Sequence, residues 1–490
     1  MGTARRLFGL GLAAALSGCV VGPTYHTPPA PEVAQYTAEP LGEGTATANA
    51  PGGTAERYVL GADVPGQWWT VYHSPALNAL VERALAANPD LKSAQAALRV
   101  AREAYYSQRA QAWPTVDASY QYQRQKLSNS LAPILNSNSE LFDLHTAQVT
   151  VSYAPDVFGG VARQTESVRA QAQAQRFQTE ATYLTLTSNL VVAAIQYAAL
   201  ADQIEATQAI LRADRGVLDM MRRQAVAGEI AQPDVVAQET AMAQAEQALP
   251  GLRKQLAQQM DLIADLTGQF PGQTAAPDLT LSSIELPVDL PLSLPARLVD
   301  QRPDIRAAAA NLQAASAQVG VAIAARLPNI SLTANAGGEA TRFGQVFSAG
   351  NGFWLLGGTI AQPVFDAGDL LHKQRGAEAG LDQAKAQYQS TVLSAFQNVA
   401  DSLEAIQTDA VALASAATAE TTAARSLSIA KTQFAAGEVG SLTVLNAEAA
   451  YQQVRLARVQ AQAARYADAA ALFQSLGGGW WNRTETADVR

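Results

Sequence analysis

A hydrolytic or redox centre needs a nucleophile beside a base, or a set of ligands that can converge on a metal. Candidates for such work are few in this chain. Its four histidines, His26, His73, His145 and His372, are scattered, and none stands in an HExxH or Cys/His arrangement. No Walker-type phosphate loop occurs. Asp90 after Pro89 and Asp304 after Pro303 suit the positive end of a helix dipole, which explains them without acid–base catalysis. One residue is left whose type and position point to chemistry: Cys19, the single cysteine of 490 residues. With no second thiol there is no disulfide, so an exported chain of this length must stand on its core and its assembly.

Cys19 closes a leader. Arg5 and Arg6 precede an apolar run from Leu7 to Leu16, followed by Ser17 and Gly18. A positive start, a short apolar centre and small residues before the cut predict a secretory signal peptide over residues 1–18. The run falls short of the ~20 apolar residues that span a bilayer. Leu16-Ser17-Gly18-Cys19 resembles the bacterial lipobox, whose cysteine is acylated before the leader is removed. The expected group is an N-acyl and S-diacylglycerol lipid on Cys19, each buried methylene adding ~0.8 kcal/mol of membrane affinity. No other cofactor and no metal are implied. Val20, not Asp, follows the cysteine, which in such lipoproteins favours sorting to the outer membrane.

The formal charge of −9, from 34 Lys and Arg against 43 Asp and Glu, argues against nucleic acid as a partner. No later segment offers ~18 uninterrupted apolar residues, so a membrane crossing would have to be made by strands.

The elements that carry these residues are written twice. Pro89-Asp90-Leu91 returns as Pro303-Asp304-Ile305, Leu98 as Leu312, Ala110 as Ala324 and Pro114 as Pro328. Further on, Val157-Phe158 returns as Val364-Phe365, Ala227-Gly228-Glu229 as Ala436-Gly437-Glu438, and Glu239 as Glu448. An ordered series of this kind is the mark of an internal duplication. In each copy a helix opens at the proline and closes before Pro114 or Pro328. The period then falls to two: Val116, Ala118, Tyr120 and Tyr122 alternate with polar neighbours, as do Ala147, Val149, Val151 and Tyr153. In the second copy Ile330, Leu332, Ala334 and Ala336 do the same, and a less regular strand covers 353–362. Polar loops are expected between the strands at 126–145 and 338–352.

After each strand pair comes a long proline-free stretch rich in Ala, Gln, Arg and Glu, from Gly160 to Gly228 and from Gly368 to Gly437. At 1.5 Å per residue each reaches roughly 100 Å, the scale of coiled coils and tall bundles. Each ends at a glycine turn and folds back as a second helix, 233–266 and 442–476. Four strands of about ten residues suit a membrane β-barrel but cannot close one, and open edges cannot sit in lipid. The smallest single-chain barrels have about 8 strands. Chains must therefore pool strands; two would nearly fill the interior with side chains, and three leave a lumen.

Several segments resemble the outer-membrane factor family, the TolC-like channels, in its OprM and NodT-type lipoprotein branch. They are Cys19-Val20-Val21-Gly22-Pro23-Thr24-Tyr25 with Pro28, and Gln67-Trp68-Trp69 with Leu77 and Asn88-Pro89-Asp90-Leu91. Gln301-Arg302-Pro303-Asp304-Ile305-Arg306-Ala307 through Leu327-Pro328-Asn329-Ile330-Ser331-Leu332 is the most specific stretch, followed by Val364-Phe365-Asp366-Ala367-Gly368. The resemblance covers nearly the whole mature chain. It implies a mainly α fold with a small β part: a homotrimer whose four strands per chain make a twelve-stranded outer-membrane barrel, above a long periplasmic α-helical barrel. Function would be that of a passive exit duct, not an enzyme. It would work with a periplasmic adaptor (a membrane fusion protein) and an inner-membrane RND transporter in multidrug efflux, with outer-membrane lipid around it. The outer component of a type I secretion or metal-ion efflux system is an alternative, and a structural envelope lipoprotein a more distant one.

On this reading residues 1–18 are the signal peptide and 19–66 a lipidated tether. Residues 67–114 are first-repeat helices, 115–158 the first membrane hairpin and 159–268 the first long helical hairpin. An equatorial linker, 269–302, leads to the second-repeat helix (303–328), membrane hairpin (329–366) and long hairpin (367–476), with a tail at 477–490. The resemblance also assigns sites. Gly228, Glu229 and Ile230, with Gly437, Val439, Gly440 and Ser441, would be the periplasmic tips that meet the adaptor. Leu442 takes the place of a constricting leucine, Asn446 stands where the branch has an aspartate, and Phe434 replaces an aromatic that latches the closed gate.

Overall fold

The computed structural model describes residues 20–33, 35–42, 44–126, 141–273 and 276–483. Cys19 and residues 127–140 lie outside them. In chain order the elements are β1 (Arg57–Leu60), a 3-10 turn (Trp68–Tyr72), α1 (Pro75–Ala87), α2 (Pro89–Ala110), β2 (Thr115–Lys126), β3 (Leu141–Tyr153), α3 (Gly160–Val226) and α4 (Gln232–Leu266). They continue with β4 (Asp289–Leu292), α5 (Pro295–Gln301), α6 (Pro303–Ala324), β5 (Asn329–Ala340), β6 (Gly352–Ala361), α7 (Asp369–Ala435) and α8 (Ser441–Ser475).

The duplication is visible in the lengths. Helices α2 and α6 have 22 residues each, α3 and α7 have 67, and α4 and α8 have 35. The caps explain the common start points. Asn88 Oδ1 accepts the Leu91 N–H at 3.0 Å, satisfying a free donor at the head of α2. Asp156 accepts the N–H groups of Val161 and Ala162 ahead of α3, and Asp366 those of Gly368 and Leu370 ahead of α7. One 18-residue window of α3 has mean hydropathy 1.5, enough by composition to cross a membrane, but 72% of it is buried inside the chain. It is core.

Among the described residues the chain forms two compact units. The first gathers residues up to 28, 98–175 and 308–388. It holds an antiparallel sheet in the order β2-β3-β5-β6, so β2 and β6 are edges. The β2–β3 ladder runs on to Lys126 opposite Leu141, further than alternation alone indicates. The loop expected at 126–145 is therefore shorter, because a ladder continues as long as facing backbone groups can pair. Likewise β5 reaches Ala340.

The second unit comprises residues 29–97, 176–307 and 389 onward. Its buried side chains include Trp68, Trp69, Tyr72, Leu77, Leu190, Ile195, Ile263 and Phe473. Trp68 stacks on Phe473 at 5.5 Å, and Tyr72 Oη donates to the Tyr466 carbonyl at 2.8 Å. Here the structure departs from the expected tether and linker. β1 and β4 pair in parallel, Arg57 opposite Asp289 through Leu60 opposite Leu292. Residues 45–56 are pinned on α8: Arg465 donates to Glu56 Oε2 (3.0 Å), Thr45 Oγ1 (2.8 Å) and the carbonyls of Gly52 (2.9 Å) and Thr54 (2.8 Å). Four-residue strands and single buried ions leave no periodic trace in a sequence, which is why this stretch reads as loose.

Candidate functional site

The strand registers sort side chains by polarity. Val116 faces Val151, which faces Ala334, which faces Leu356. Tyr120–Ala147–Gly338 and Ala118–Val149–Ala336–Trp354 lie on the same side. The other side carries Asp117, Thr150, Asn335 and Leu355 in one row and Ser119, Gln148, Gly337 and Phe353 in the next. One face is thus apolar and the other mostly polar, the pattern of a membrane strand with lipid outside and water inside. Its strands, of 12, 13, 12 and 10 residues, exceed or match the 9–11 that a tilted strand needs to span.

The N-terminus of the described chain is held on this unit. Val21 N–H donates to the Phe158 carbonyl (3.3 Å), and Arg163 donates through Nε to Val21 O (3.0 Å) and through Nη2 to Gly22 O (3.3 Å). The residues that directly follow Cys19 are therefore fixed beside the junction of β3 and α3.

The hairpin turns of the second unit are the predicted tips, and they are built alike. Gly228 N–H donates to Ala225 O and Glu229 N–H to Gln224 O; Gly437 N–H donates to Phe434 O and Glu438 N–H to Gln433 O. These are Schellman closures, and they need a left-handed residue at the glycine, here with φ of 77° and 73°. Gly228, Glu229, Gly437 and Gly440 are exposed, while Ile230 and Val439 are half-buried. Ile230 and Phe434 pack on one cluster with buried Leu218, Met221 and Val235, so residues from both hairpins share a small core. Ser441 is buried and its Oγ donates to Asp234 Oδ1 at 2.7 Å, tying α8 to the first turn of α4.

The expected gate residues divide differently. Leu442, 64% exposed, and Asn446 lie one turn apart on α8, on a face that the chain itself leaves bare. Val444 and Glu448 occupy the buried face. Leu442 therefore packs against nothing substantial in its own chain, whereas Phe434 does.

Sequence reasoning missed an acidic pair close to these turns. Asp214 of α3 and Glu448 of α8 are both buried, and Lys431 of α7 bridges to Glu448 at 3.1 Å. Burial pushes the Asp214 carboxyl up to about 7, the facing Glu448 carboxyl adds to the rise, and Lys431 opposes it. Asp214 Oδ1 is buried without a hydrogen-bond partner. A signal was available: Leu211, Asp214, Leu218 and Met221 fall at helical spacing, so the aspartate sits in a core stripe. Chemically the pair can hold a proton near neutral pH.

Comparison with known proteins gives a consistent picture. A model of the family described as outer membrane efflux protein matches residues 80–269 and 294–478. The chain is 30% identical over 480 residues to a probable efflux pump outer membrane protein, TtgC, of Pseudomonas putida, covering 96% of this chain and 95% of the relative. Identity and coverage are the same for the antibiotic efflux pump outer membrane protein ArpC of Pseudomonas putida. The solved outer-membrane channel OprN superposes with a TM-score of 0.82 at 27% identity, over 94% of this chain and 100% of that one.

Proposed function

This chain belongs to the outer membrane efflux protein family, and from that premise we propose that three copies form the passive exit duct of a tripartite, RND-type efflux system. The observation that carries the reading is the sheet: apolar on one face, polar on the other, and open at both edges. Unpaired edge groups in hydrocarbon cost several kcal/mol each, so the sheet must close with other copies. Three copies give twelve strands and a water-filled interior.

The duct needs no reaction of its own; energy comes from an inner-membrane transporter through a periplasmic adaptor. Exposed Glu229 and Gly440, with Gly228, Gly437, Val439 and the pinned Ser441, are the surfaces offered to the adaptor. Leu442 and Asn446 narrow the pore by packing against their counterparts in neighbouring copies, which fits their bare face. A lipid on Cys19 anchors the chain, and the fixed Val20–Gly22 segment holds that anchor against the membrane unit. In planar bilayers the purified protein forms discrete channels, and Leu442→Ser with Asn446→Ser raises single-channel conductance. Absence of channels refutes the duct; channels whose conductance is unmoved by the pair refute the gate alone.

A further inference from the structure

The internal duplication supplies a template for a contact that one chain cannot make with itself. At the end of the first copy's strands, Val157 and Phe158 are half-buried. They line a cleft of about 380 Å³ together with Leu327, Pro328 and Ile330, where α6 turns into β5. The equivalent parts of the other two junctions are bare. Val364 and Phe365, the repeat partners of Val157 and Phe158, are 95% and 90% exposed. Trp113 and Val116, the repeat partners of Leu327 and Ile330, are 69% and 68% exposed on either side of Pro114.

The sheet order explains why they stay apart. Val157–Phe158 follows β3 and Leu327–Ile330 opens β5, and β3 and β5 are paired neighbours. Val364–Phe365 follows β6 and Trp113–Val116 opens β2, which are opposite edges of the same sheet. Bringing those two together within one chain would demand a closed four-stranded ring, half the smallest known barrel. Between two chains it demands only that β6 of one copy lie antiparallel to β2 of the next, as β3 lies to β5. Two bare apolar patches at opposite edges, each the repeat of one half of a made contact, are complementary by descent and by chemistry. Such a head-to-tail contact generates a ring, not a two-fold dimer.

We propose that Val364 and Phe365 of each copy seat on Trp113, Pro114 and Val116 of the next copy, repeating across the subunit boundary the contact that Val157 and Phe158 make with Leu327, Pro328 and Ile330 inside the chain. This rests on the oligomeric duct above and names the seam that closes it. Capping helps to set the seam. Asp156 caps α3 from before its Val-Phe pair, whereas Asp366 caps α7 from after it, leaving the second pair ahead of the cap and free to reach outward.

The test is cysteine cross-linking of the full-length protein in membranes. Phe365→Cys combined with Trp113→Cys should yield covalent dimers and trimers on oxidation, seen on non-reducing gels, and neither single substitution should. Phe158→Cys with Leu327→Cys serves as the in-chain control and links without a change of mass. Independently of cysteines, Phe365→Ser should lower the temperature at which the oligomer dissociates in detergent, and Phe365→Leu should restore it. An intact oligomer that forms no inter-chain link, or whose dissociation is unmoved by Phe365→Ser, overturns the seam while leaving the duct. A monomer overturns both.

Discussion

Helices α4 and α8 are the returning arms of the two hairpins, equal in length and equivalent by descent, yet they are used differently. Within one chain α4 buries Val235, Gln238, Ile263 and Ala264 at its two ends. α8 buries a nearly continuous stripe from Val459 to Ser475, including Arg465, Tyr466, Leu472 and Phe473. The same contrast marks the bridges near the tips. Arg222–Glu239 at 2.7 Å in the first copy is solvent-exposed; its repeat, Lys431–Glu448 at 3.1 Å, has Glu448 buried and Asp214 added from the other hairpin. The two copies share the scaffold, and the polar groups of the second are the more deeply buried. The copy that carries the predicted gate residues is also the one wired to the rest of its chain.

The largest expected effect breaks this contrast at Arg465. Its guanidinium and Glu56 are 1% and 0% exposed. Arg465→Ala leaves a buried carboxyl unpaired and should lower stability by about 3–5 kcal/mol in urea unfolding. Leu256→Ala, at the equivalent place in α4, is only half-buried and should cost less than about 2 kcal/mol. Equal losses would erase the distinction between the arms.

A second expectation concerns pH. The Asp214 carboxyl titrates at about 7 in the folded chain against 3.8 for a free aspartate, so the folded state binds the proton more tightly. Its contribution is present in full below about 4 and is lost as pH rises through about 7. Glu56, raised by burial to about 7 despite Arg465, and Asp468, raised by burial and by Asp409, act in the same sense. Melting temperature should therefore fall from pH 5 to 8, and Asp214→Asn should flatten the slope; an unchanged slope removes Asp214 from the account.

The smallest effect is at the bridges. Arg222→Ala should cost under about 1 kcal/mol, as exposed pairs do, while Lys431→Ala strips a cation from a buried carboxylate and should cost more. Reversal of that order would show the second tip to be no more buried than the first in the assembled protein.

Long helices, glycine turns and strand pairs were legible because each leaves a local signature: no proline, a helical period or a period of two, and Gly228 or Gly437 where a left-handed turn is required. The repeat made them firmer, since two copies agree. What escaped was non-local. Glu56 and Arg465 stand 409 positions apart, and β1 and β4 are four residues each. Asp214 meets Glu448 only because two hairpins pack together, and no spacing along one helix announces that. The face bared by Leu442 and Asn446 is not visible in composition either; it appears only when the chain's own packing is known.

Everything functional rests on a sheet whose edges are completed by other copies. Native mass spectrometry of the detergent-solubilised protein tests this most directly. The account predicts a complex of three chains that survives gentle removal of detergent; a stable species of one chain, with its sheet intact by circular dichroism, would contradict it.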